Sequence, residues 1–274
     1  MPGRSRLEPP FSGEGARAAG GPGFLDLEDS VAPPAKADAR KNIVAALSDG
    51  GWGDKVRAVR VNDWTTQWTH RDVIDVVEGA GADLDCIMLP KVQAAAQVVA
   101  LDLLLTQIEK AVGLDVGRIG IEAQIENAVG LLHIEEIAQA SARVETLIFG
   151  PADFMASINM KSLVVGDQPP GYDVGDAYHY ILMRILMAAR AHGKQAIDGP
   201  YLQVRDVDGF RRVAGRSAAG SGRQVGPASR SGGRGQRDLQ PSAGGLRPRR
   251  EHPRRLRVVH VRGRRHEGVG DARR

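Results

Sequence analysis

Charged side chains follow several short apolar runs of this sequence, where they could bind a metal ion or a substrate. They are Glu28, Asp29, Arg60, Lys91, Glu126 and Asp153. A hard cation such as Mg²⁺ takes one or two protein carboxylates, and water and substrate oxygens complete its shell. Glu126 and Asp153 suit that role, and Glu28 and Asp29 could orient metal-bound water. Arg60 and Lys91 would add positive charge for a carboxylate substrate and a developing enolate oxygen.

Each of these residues also has a purely structural interpretation. Glu28 could be a solvated strand end or a helix cap, and Arg60 could form a structural ion pair. Because charged residues follow several of the apolar runs, a shared site is favoured over separate structural roles. A zinc site is disfavoured, because the sequence has a single cysteine, Cys86, and no closely spaced pair of histidines on one helix turn.

The apolar runs alternate with helical patterns, which predicts a parallel α/β sheet. We expect strands over Phe24–Leu27, Val56–Val61, Cys86–Leu89, Ile119–Ile125, Thr146–Phe149 and Gln195–Ile197, and helices over Ala35–Leu47, Thr69–Glu78, Gln93–Val112, Leu131–Ala140 and Val174–His192. Such units suit a TIM (β/α)8 barrel, whose active sites lie at the carboxyl ends of the strands. The charged residues should therefore meet at one mouth of the barrel.

The net charge of +4 averages two unlike parts of the chain. Residues 216–274 contain 16 Arg, no Lys and 4 acidic residues, a balance of +12 that leaves −8 for residues 1–215. The basic part also lacks aromatic residues and isoleucine, so it cannot build a hydrophobic core. We therefore expect an altered segment over residues 1–23, a barrel core over residues 24–215 and a disordered tail over residues 216–274.

The sequence has no membrane or secretion signal that we can identify. No stretch reaches the ~18 to 20 apolar residues that cross a bilayer, and the N-terminal residues lack the apolar core of a signal peptide. One cysteine excludes a disulfide framework and suits a reducing compartment. These features predict a cytoplasmic protein with no membrane partner.

Five segments resemble the strand ends of the HpcH/HpaI aldolase and citrate lyase β-subunit family, in the same order along the chain. They are FLDLEDSVAPPAKADAR, VRAVRVN, CIMLPKV, IEAQIEN and LIFGPADF. The insert that begins MKSLVVGDQPP is similar to the branch of acyl-CoA ester lyases that contains malyl-CoA lyases and CitE-like proteins. The resemblance covers residues 24–215.

The resemblance implies a TIM barrel that assembles as a homotrimer or hexamer and binds Mg²⁺ through Glu126 and Asp153. It also implies that Arg60 and Ala152 contact the substrate and that Arg60 stabilises the enolate. The implied chemistry is reversible Claisen cleavage of an acyl-CoA thioester such as malyl-CoA or citramalyl-CoA. The products would be a 2-oxoacid, glyoxylate or pyruvate, and acetyl-CoA or propionyl-CoA. Some relatives add a thioesterase step.

The chain departs from the family in ways that weaken this expectation. The first strand of relatives has no counterpart beyond Met1-Pro2-Gly3, and Val129 stands where relatives often have an arginine of the substrate pocket. No residue of this chain matches the C-terminal aspartate that serves relatives as the catalytic base. We therefore expect an incomplete barrel with impaired cleavage.

The loss of resemblance after residue 215 has the pattern of a shifted reading frame. When the codons of residues 222–229 are read from their second base, full degeneracy permits Asp-Gly-Lys-Trp-Val-Leu-His-Pro, the family's sequence at its eighth strand. An arginine-rich tail without lysine is also typical of a GC-rich gene read out of frame. The sequence thus indicates a frameshift near residues 220–222.

Two other interpretations stay open. A genuine arginine-rich tail could bind nucleic acid through phosphate contacts, with a strong dependence on salt. Without interleaved aromatic residues it has no basis for sequence specificity, so nucleic acid is the less favoured partner. The barrel could also be a catalytically inactive partner subunit, because a fold does not imply a function.

Resequencing of the coding DNA around codons 220–222 tests the frameshift hypothesis. We expect a single inserted or deleted base whose correction restores the eighth-strand sequence and an acidic amphipathic helix after it. If the DNA confirms the frame as written, the frameshift hypothesis is wrong and the basic tail becomes the better interpretation.

Overall fold

The computed structural model describes residues 24–53, 55–161, 165 and 168–200 of the chain. Within them, six parallel strands form one sheet in chain order. The strands are β1 (Phe24–Asp26), β2 (Ala58–Arg60), β3 (Cys86–Leu89), β4 (Gly120–Ile125), β5 (Val144–Phe149) and β6 (Gln195–Ile197). The helices are α1 (Lys36–Ser48), α2 (Thr69–Ala80), α3 (Ala95–Ala111), α4 (Ala128–Leu132), α5 (Ile134–Gln139), α6 (Pro151–Ser157) and α7 (His179–Ala191).

This arrangement confirms the predicted α/β class. A TIM barrel consists of consecutive parallel strands with helices between them, and the described residues form six such strands. The segments over residues 1–23 and 216–274, which we expected to be altered or disordered, lie outside the described residues. The proposed domain boundaries stay predictions.

Several element boundaries differ from the sequence prediction. The structure reproduces the predicted bounds of β3 and β6, whereas β5 begins two residues early, at Val144. The predicted helix over Leu131–Ala140 is two short helices that meet at His133. The sequence analysis missed α6, which begins at Pro151, because seven residues are too few to show a helical period. Proline is nonetheless a common first residue of a helix.

The two faces of the sheet have different partners. Alternate strand residues such as Val59, Ile87 and Leu147 are fully buried in the large core formed with the helices. The opposite face carries a small apolar cluster of Phe24, Met88, Ile148 and Ile197. Both faces are buried, as in parallel sheets generally, so the strands show nearly continuous apolar runs. Within the described part of the chain, no helix combines the length and apolarity needed to cross a membrane.

Arg143, which precedes β5, connects this strand to α3. Its guanidinium lies 2.6 Å from Glu109 Oε2 and 2.5 Å from Asp102 Oδ1, and it also donates to the backbone oxygen of Ile119 at 3.0 Å. The Glu109 carboxylate has no exposed surface, and its other contacts are the N–H groups of Gly117 and Ile119. Arg143 therefore supplies the charge that allows Glu109 to stay ionised inside the protein.

We expect Arg143→Met to lower the free energy of unfolding by about 3 to 5 kcal/mol, because it leaves a buried carboxylate without its partner. Denaturant titration followed by circular dichroism measures the loss. The matched control is Lys41→Met, which removes an ion pair whose two side chains are 78% exposed and should cost less than about 1 kcal/mol. Equal losses in the two variants would contradict the structural role of Arg143.

Candidate active site

Arg60 and Asp26 form the central ion pair at the carboxyl ends of β1 and β2. The two residues are register partners, and Arg60 Nε and Nη2 donate to the two Asp26 oxygens at 2.8 and 2.7 Å. Burial alone would raise the pKa of Asp26, but the hydrogen bonds and charge of Arg60 lower it to about 2. The same guanidinium lies over the Phe24 ring, with its Nη1 3.0 Å from Glu28 Oε2. Arg60 is therefore held rigidly at the mouth.

Lys91 gathers carboxylates from three other segments. Its Nζ lies 2.7 Å from Glu28 Oε1, 3.3 Å from Asp153 Oδ2 and 3.7 Å from Asp29 Oδ1. Its backbone N–H donates to Glu126 Oε1 at 2.6 Å. Lys91 has a φ of 53°, a left-handed conformation that costs free energy for a residue with a side chain. This conformation directs both the backbone N–H and the ammonium group of Lys91 into the carboxylate cluster. The hydrogen bond and ion pairs formed there compensate for the strain.

Glu126, like Glu28, is one of the most buried carboxyl groups of the mouth. It directly follows β4 and is 4% exposed, whereas the Asp153 side chain, on the first turn of α6, is 41% exposed. Burial, followed by the charges of Glu28 and Asp153, raises the pKa of Glu126 to about 8. The pKa of Glu28 is also raised, first by burial. The positive charges of the described residues therefore do not suffice to keep Glu126 ionised at neutral pH.

The donor set fits a divalent metal ion. Five carboxylates converge with two cations, Arg60 and Lys91, so negative charge is in excess. The carboxylates are Asp26, Glu28, Asp29, Glu126 and Asp153. Among the described residues, no three acidic, histidine or cysteine side chains are grouped so that together they could hold a metal ion, so at most two could serve as protein ligands. An open site with one or two carboxylates, completed by water and substrate, is the arrangement that Mg²⁺ prefers.

The structure thus brings together six of the predicted site residues. Arg60 contacts Glu28, and Lys91 links Glu28, Asp29, Asp153 and Glu126. Ala152, predicted to contact the substrate, is exposed beside Asp153 on the first turn of α6. The catalytic, substrate-binding and metal-binding roles of these residues stay predictions.

The sequence analysis missed Asp26 as a site residue, although a signal was present. Asp26 and Glu28 are two residues apart, and side chains two apart on an extended chain point to the same face. The pattern Asp-Leu-Glu therefore places two carboxylates beside the register partner of Asp26, which is Arg60.

A buried lysine beneath the site, Lys36, was also missed. Its Nζ donates to the backbone oxygens of Leu27 and Glu28 at 2.6 and 2.8 Å and to Asn62 Oδ1 at 2.7 Å. Asn62 in turn donates to the Leu27 oxygen and to Asp72 on α2. These bonds fix the loop that carries Glu28 against the end of β2. No sequence pattern revealed them, because the acceptors are mostly backbone atoms.

Gly150, between β5 and α6, leaves the space in which Glu126 lies. A Cβ atom at this position would approach Glu126 Cβ to 2.5 Å and Gln124 Nε2 to 2.8 Å, and it would also overlap Glu126 Oε2. We expect Gly150→Ala to displace Glu126 and to weaken Mg²⁺ binding at least about tenfold, as loss of correct ligand orientation does elsewhere. Calorimetric titration with Mg²⁺ measures the effect.

The matched control for this prediction is Gly113→Ala. Gly113 has a φ of 74° and nothing within 4 Å of an added Cβ, so its substitution strains the backbone away from the site. It should leave the Mg²⁺ affinity unchanged. Unchanged affinity in Gly150→Ala as well would remove Glu126 from the ligand set.

Comparison with known proteins gives a consistent family assignment. An L-malyl-CoA/beta-methylmalyl-CoA lyase of Cereibacter sphaeroides is 44% identical over 202 residues, which are 71% of this chain and 63% of that relative. The chain thus spans less than two thirds of the length of the curated relative. A structure of the citrate lyase beta subunit from M. tuberculosis, complexed with oxaloacetate and magnesium, matches 74% of this chain and 79% of its own. Its sequence identity is 29% and its TM-score 0.58.

A structure of CitE from Mycobacterium tuberculosis in complex with magnesium, acetoacetate and coenzyme A gives the same identity and TM-score. It covers 74% of this chain and 66% of its own. The model of the family described as HpcH/HpaI aldolase/citrate lyase matches residues 24–225, past residue 215, where we expected the resemblance to end. That match covers well over half of the chain. The chain therefore belongs to the HpcH/HpaI aldolase/citrate lyase family.

Proposed function

We propose that this chain carries the metal and substrate site of an acyl-CoA ester lyase, which cleaves a carbon–carbon bond in a 3-hydroxyacyl-CoA such as malyl-CoA or citramalyl-CoA. The products would be a 2-oxoacid and acetyl-CoA or propionyl-CoA. The observation that carries the proposal is the excess of carboxylates over cations around Glu126 and Asp153, beside a rigid arginine. Relatives that bind magnesium with oxaloacetate, or with coenzyme A, support it.

In this proposal Glu126 and Asp153 would hold Mg²⁺, and Glu28 and Asp29 would accept hydrogen bonds from water at the site. When bound, the metal would supply Lewis acidity to the carbonyl oxygen of the 2-oxoacid. Lys91 would hold Glu126 in place through its N–H and would balance the charge of Glu28 through its ammonium. Burial of Glu126 and Glu28 keeps water away from these charges, which strengthens their interactions.

Arg60 would stabilise the enolate oxygen that develops when the carbon–carbon bond breaks. Its guanidinium is fixed by Asp26, so it would not need to reorganise as charge appears in the transition state. The pKa of Arg60 is raised, because its hydrogen bond to Asp26 and the carboxylates around it outweigh the effect of burial. Arg60 therefore stays positive throughout the reaction.

The proposal also includes the lack of a catalytic base. No residue of the chain matches the family's C-terminal catalytic base, so proton transfer to or from the substrate would be slow. A homotrimeric or hexameric assembly, in which a neighbouring subunit covers the mouth, stays a prediction for the frame-corrected protein.

We expect the chain as written to bind Mg²⁺ but to release little glyoxylate from malyl-CoA, whereas a frame-corrected version should release it readily. A coupled assay for glyoxylate measures turnover, and calorimetry measures metal binding. In the frame-corrected version, Glu126→Ala and Asp153→Ala should each abolish turnover and weaken Mg²⁺ binding at least about tenfold.

The control for these variants is Glu78→Gln, which alters an exposed residue of α2 far along the chain from the mouth. Full activity of the chain as written would refute the missing-base argument. Turnover in both alanine variants would refute the metal assignment. Metal binding without turnover in the corrected protein would favour the inactive-subunit interpretation.

A further inference from the structure

Three polar side chains face the concave side of the sheet below the mouth, and the proposed function uses none of them. Glu122 and Gln124 lie on β4 with the same alternation that places Glu126 at its end. Thr146 lies on β5 and is the register partner of Glu122. Their exposed fractions are 1%, 9% and 0%.

Each of these buried side chains has one oxygen atom without a hydrogen-bond partner in the described part of the chain. These atoms are Glu122 Oε1, Gln124 Oε1 and Thr146 Oγ1. A buried polar atom left in this state costs about 1 to 3 kcal/mol. Three such atoms on two adjacent strands would cost a large part of the 5 to 15 kcal/mol that typically stabilises a domain. Native proteins avoid such a loss by binding water at polar cavities.

Water suits this set better than a metal ion does. The three atoms include one carboxyl group, one amide oxygen and one hydroxyl, so the set carries at most one formal charge. Burial, and then the charge of Glu145 on β5, raises the pKa of Glu122 to about 8. Cys86 on β3 also faces this region, and burial and the Glu122 charge raise the pKa of its thiol. Below pH 8 the Glu122 carboxyl group is therefore mostly protonated, and the three side chains together offer both donors and acceptors.

The region is connected to the mouth through Gln124. The space above Gly150 borders both Gln124 Nε2 and Glu126, since a Cβ atom there would contact both. The side chain of Gln124 thus lies between Glu122 and Glu126, the predicted metal ligand. Polar groups continue along β4 from Glu122 to Glu126, whereas the neighbouring Met88, Ile148 and Ile197 are apolar.

We propose that the concave side of the sheet between Glu122, Gln124 and Thr146 is a water-binding site, in which bound water links the Glu122 carboxyl group to the Gln124 amide beneath Glu126. Thr146 and Glu122 donate to this water, and Gln124 Oε1 accepts from it. The inference does not depend on lyase activity, so it can be tested on the chain as written.

Magnetic relaxation dispersion of water oxygen-17, which counts long-lived internal water, tests the site in the full chain. Thr146→Val replaces a hydroxyl by a methyl group and Glu122→Leu replaces a carboxyl group by an apolar side chain, and each should lower the count by about one water or more. Glu122→Gln keeps a polar group and should retain the count. The matched control is Thr69→Val, which removes a buried hydroxyl that already donates to the Asp63 backbone oxygen, and it should change nothing.

Infrared spectra with carboxyl-labelled glutamate test the protonation state. The difference between the wild type and Glu122→Gln should contain the C=O band of a neutral carboxylic acid at pH 6, and this band should fade as the pH passes 8. Glu78→Gln, which alters an exposed glutamate, should leave the band in place.

Thermal unfolding gives an independent reading of the same group. The folded pKa of about 8 exceeds the ordinary value of 4.5, so the folded state binds more protons and loses stability as the pH rises between these values. Glu122→Gln removes this loss, so its Tm should exceed that of the wild type by a margin that grows from pH 5 to pH 8. An unchanged water count in folded Thr146→Val and Glu122→Leu, or an ionised Glu122 at pH 6, would overturn the proposal.

Discussion

The double hydrogen bond between Arg60 and Asp26 is the interaction on which the candidate site depends. It joins the ends of β1 and β2 and places a fixed positive charge against Glu28 and near Glu126. That charge partly offsets the repulsion between Glu28 and Glu126 at a mouth largely shielded from water, although burial keeps the pKa of each raised. Lys91 completes the arrangement by linking Glu28 to Asp153. The fold can therefore collect acidic groups at one edge only because two cations are built in among them.

Two carboxyl groups on and just after the same strand show how position along a barrel changes chemistry. Glu122 lies on β4 and Glu126 directly follows this strand, four residues further along, and burial is the first cause of the raised pKa of each. Glu126 lies within reach of Arg60, Lys91 and solvent at the mouth, where a divalent ion could neutralise it. Glu122 lies below, among Met88, Ile148 and Thr146, where only neutral donors and acceptors fit. One environment suits a metal, and the other suits water.

Lys36 holds in place the loop that carries Glu28. Lys36 is buried, yet it makes three hydrogen bonds to oxygen atoms, two of which belong to the backbone of the loop that carries Glu28. Burial lowers the pKa of Lys36, against the effect of Asp72 and the nearby carboxylates. Because Lys36 bonds to backbone oxygens of this loop, these bonds leave the Glu28 side chain available at the mouth. Such support from outside the site determines how precisely charged groups can be oriented.

The sequence by itself determined the α/β class, the order of the strands and most of the residues at the mouth. Apolar runs that alternate with helical periods predict parallel strands, and parallel strands bring their carboxyl ends to one edge. Glu28, Lys91, Glu126 and Asp153 could therefore be grouped before any contact was known. The motifs also placed the chain in its family, because several strand ends match in order.

Only the tertiary structure decided which partners these residues take. Asp26 was passed over because its role rests on strand register with Arg60, which periodicity does not specify. Lys36 was passed over because it bonds to backbone oxygens, which have no sequence signature. Glu122 and Thr146 each have an oxygen without a partner among the described residues because of how two strands pack, and a lone glutamate in an apolar run gives no sign of this. Residue type and spacing are local properties, whereas burial and pairing arise from segments that meet in space.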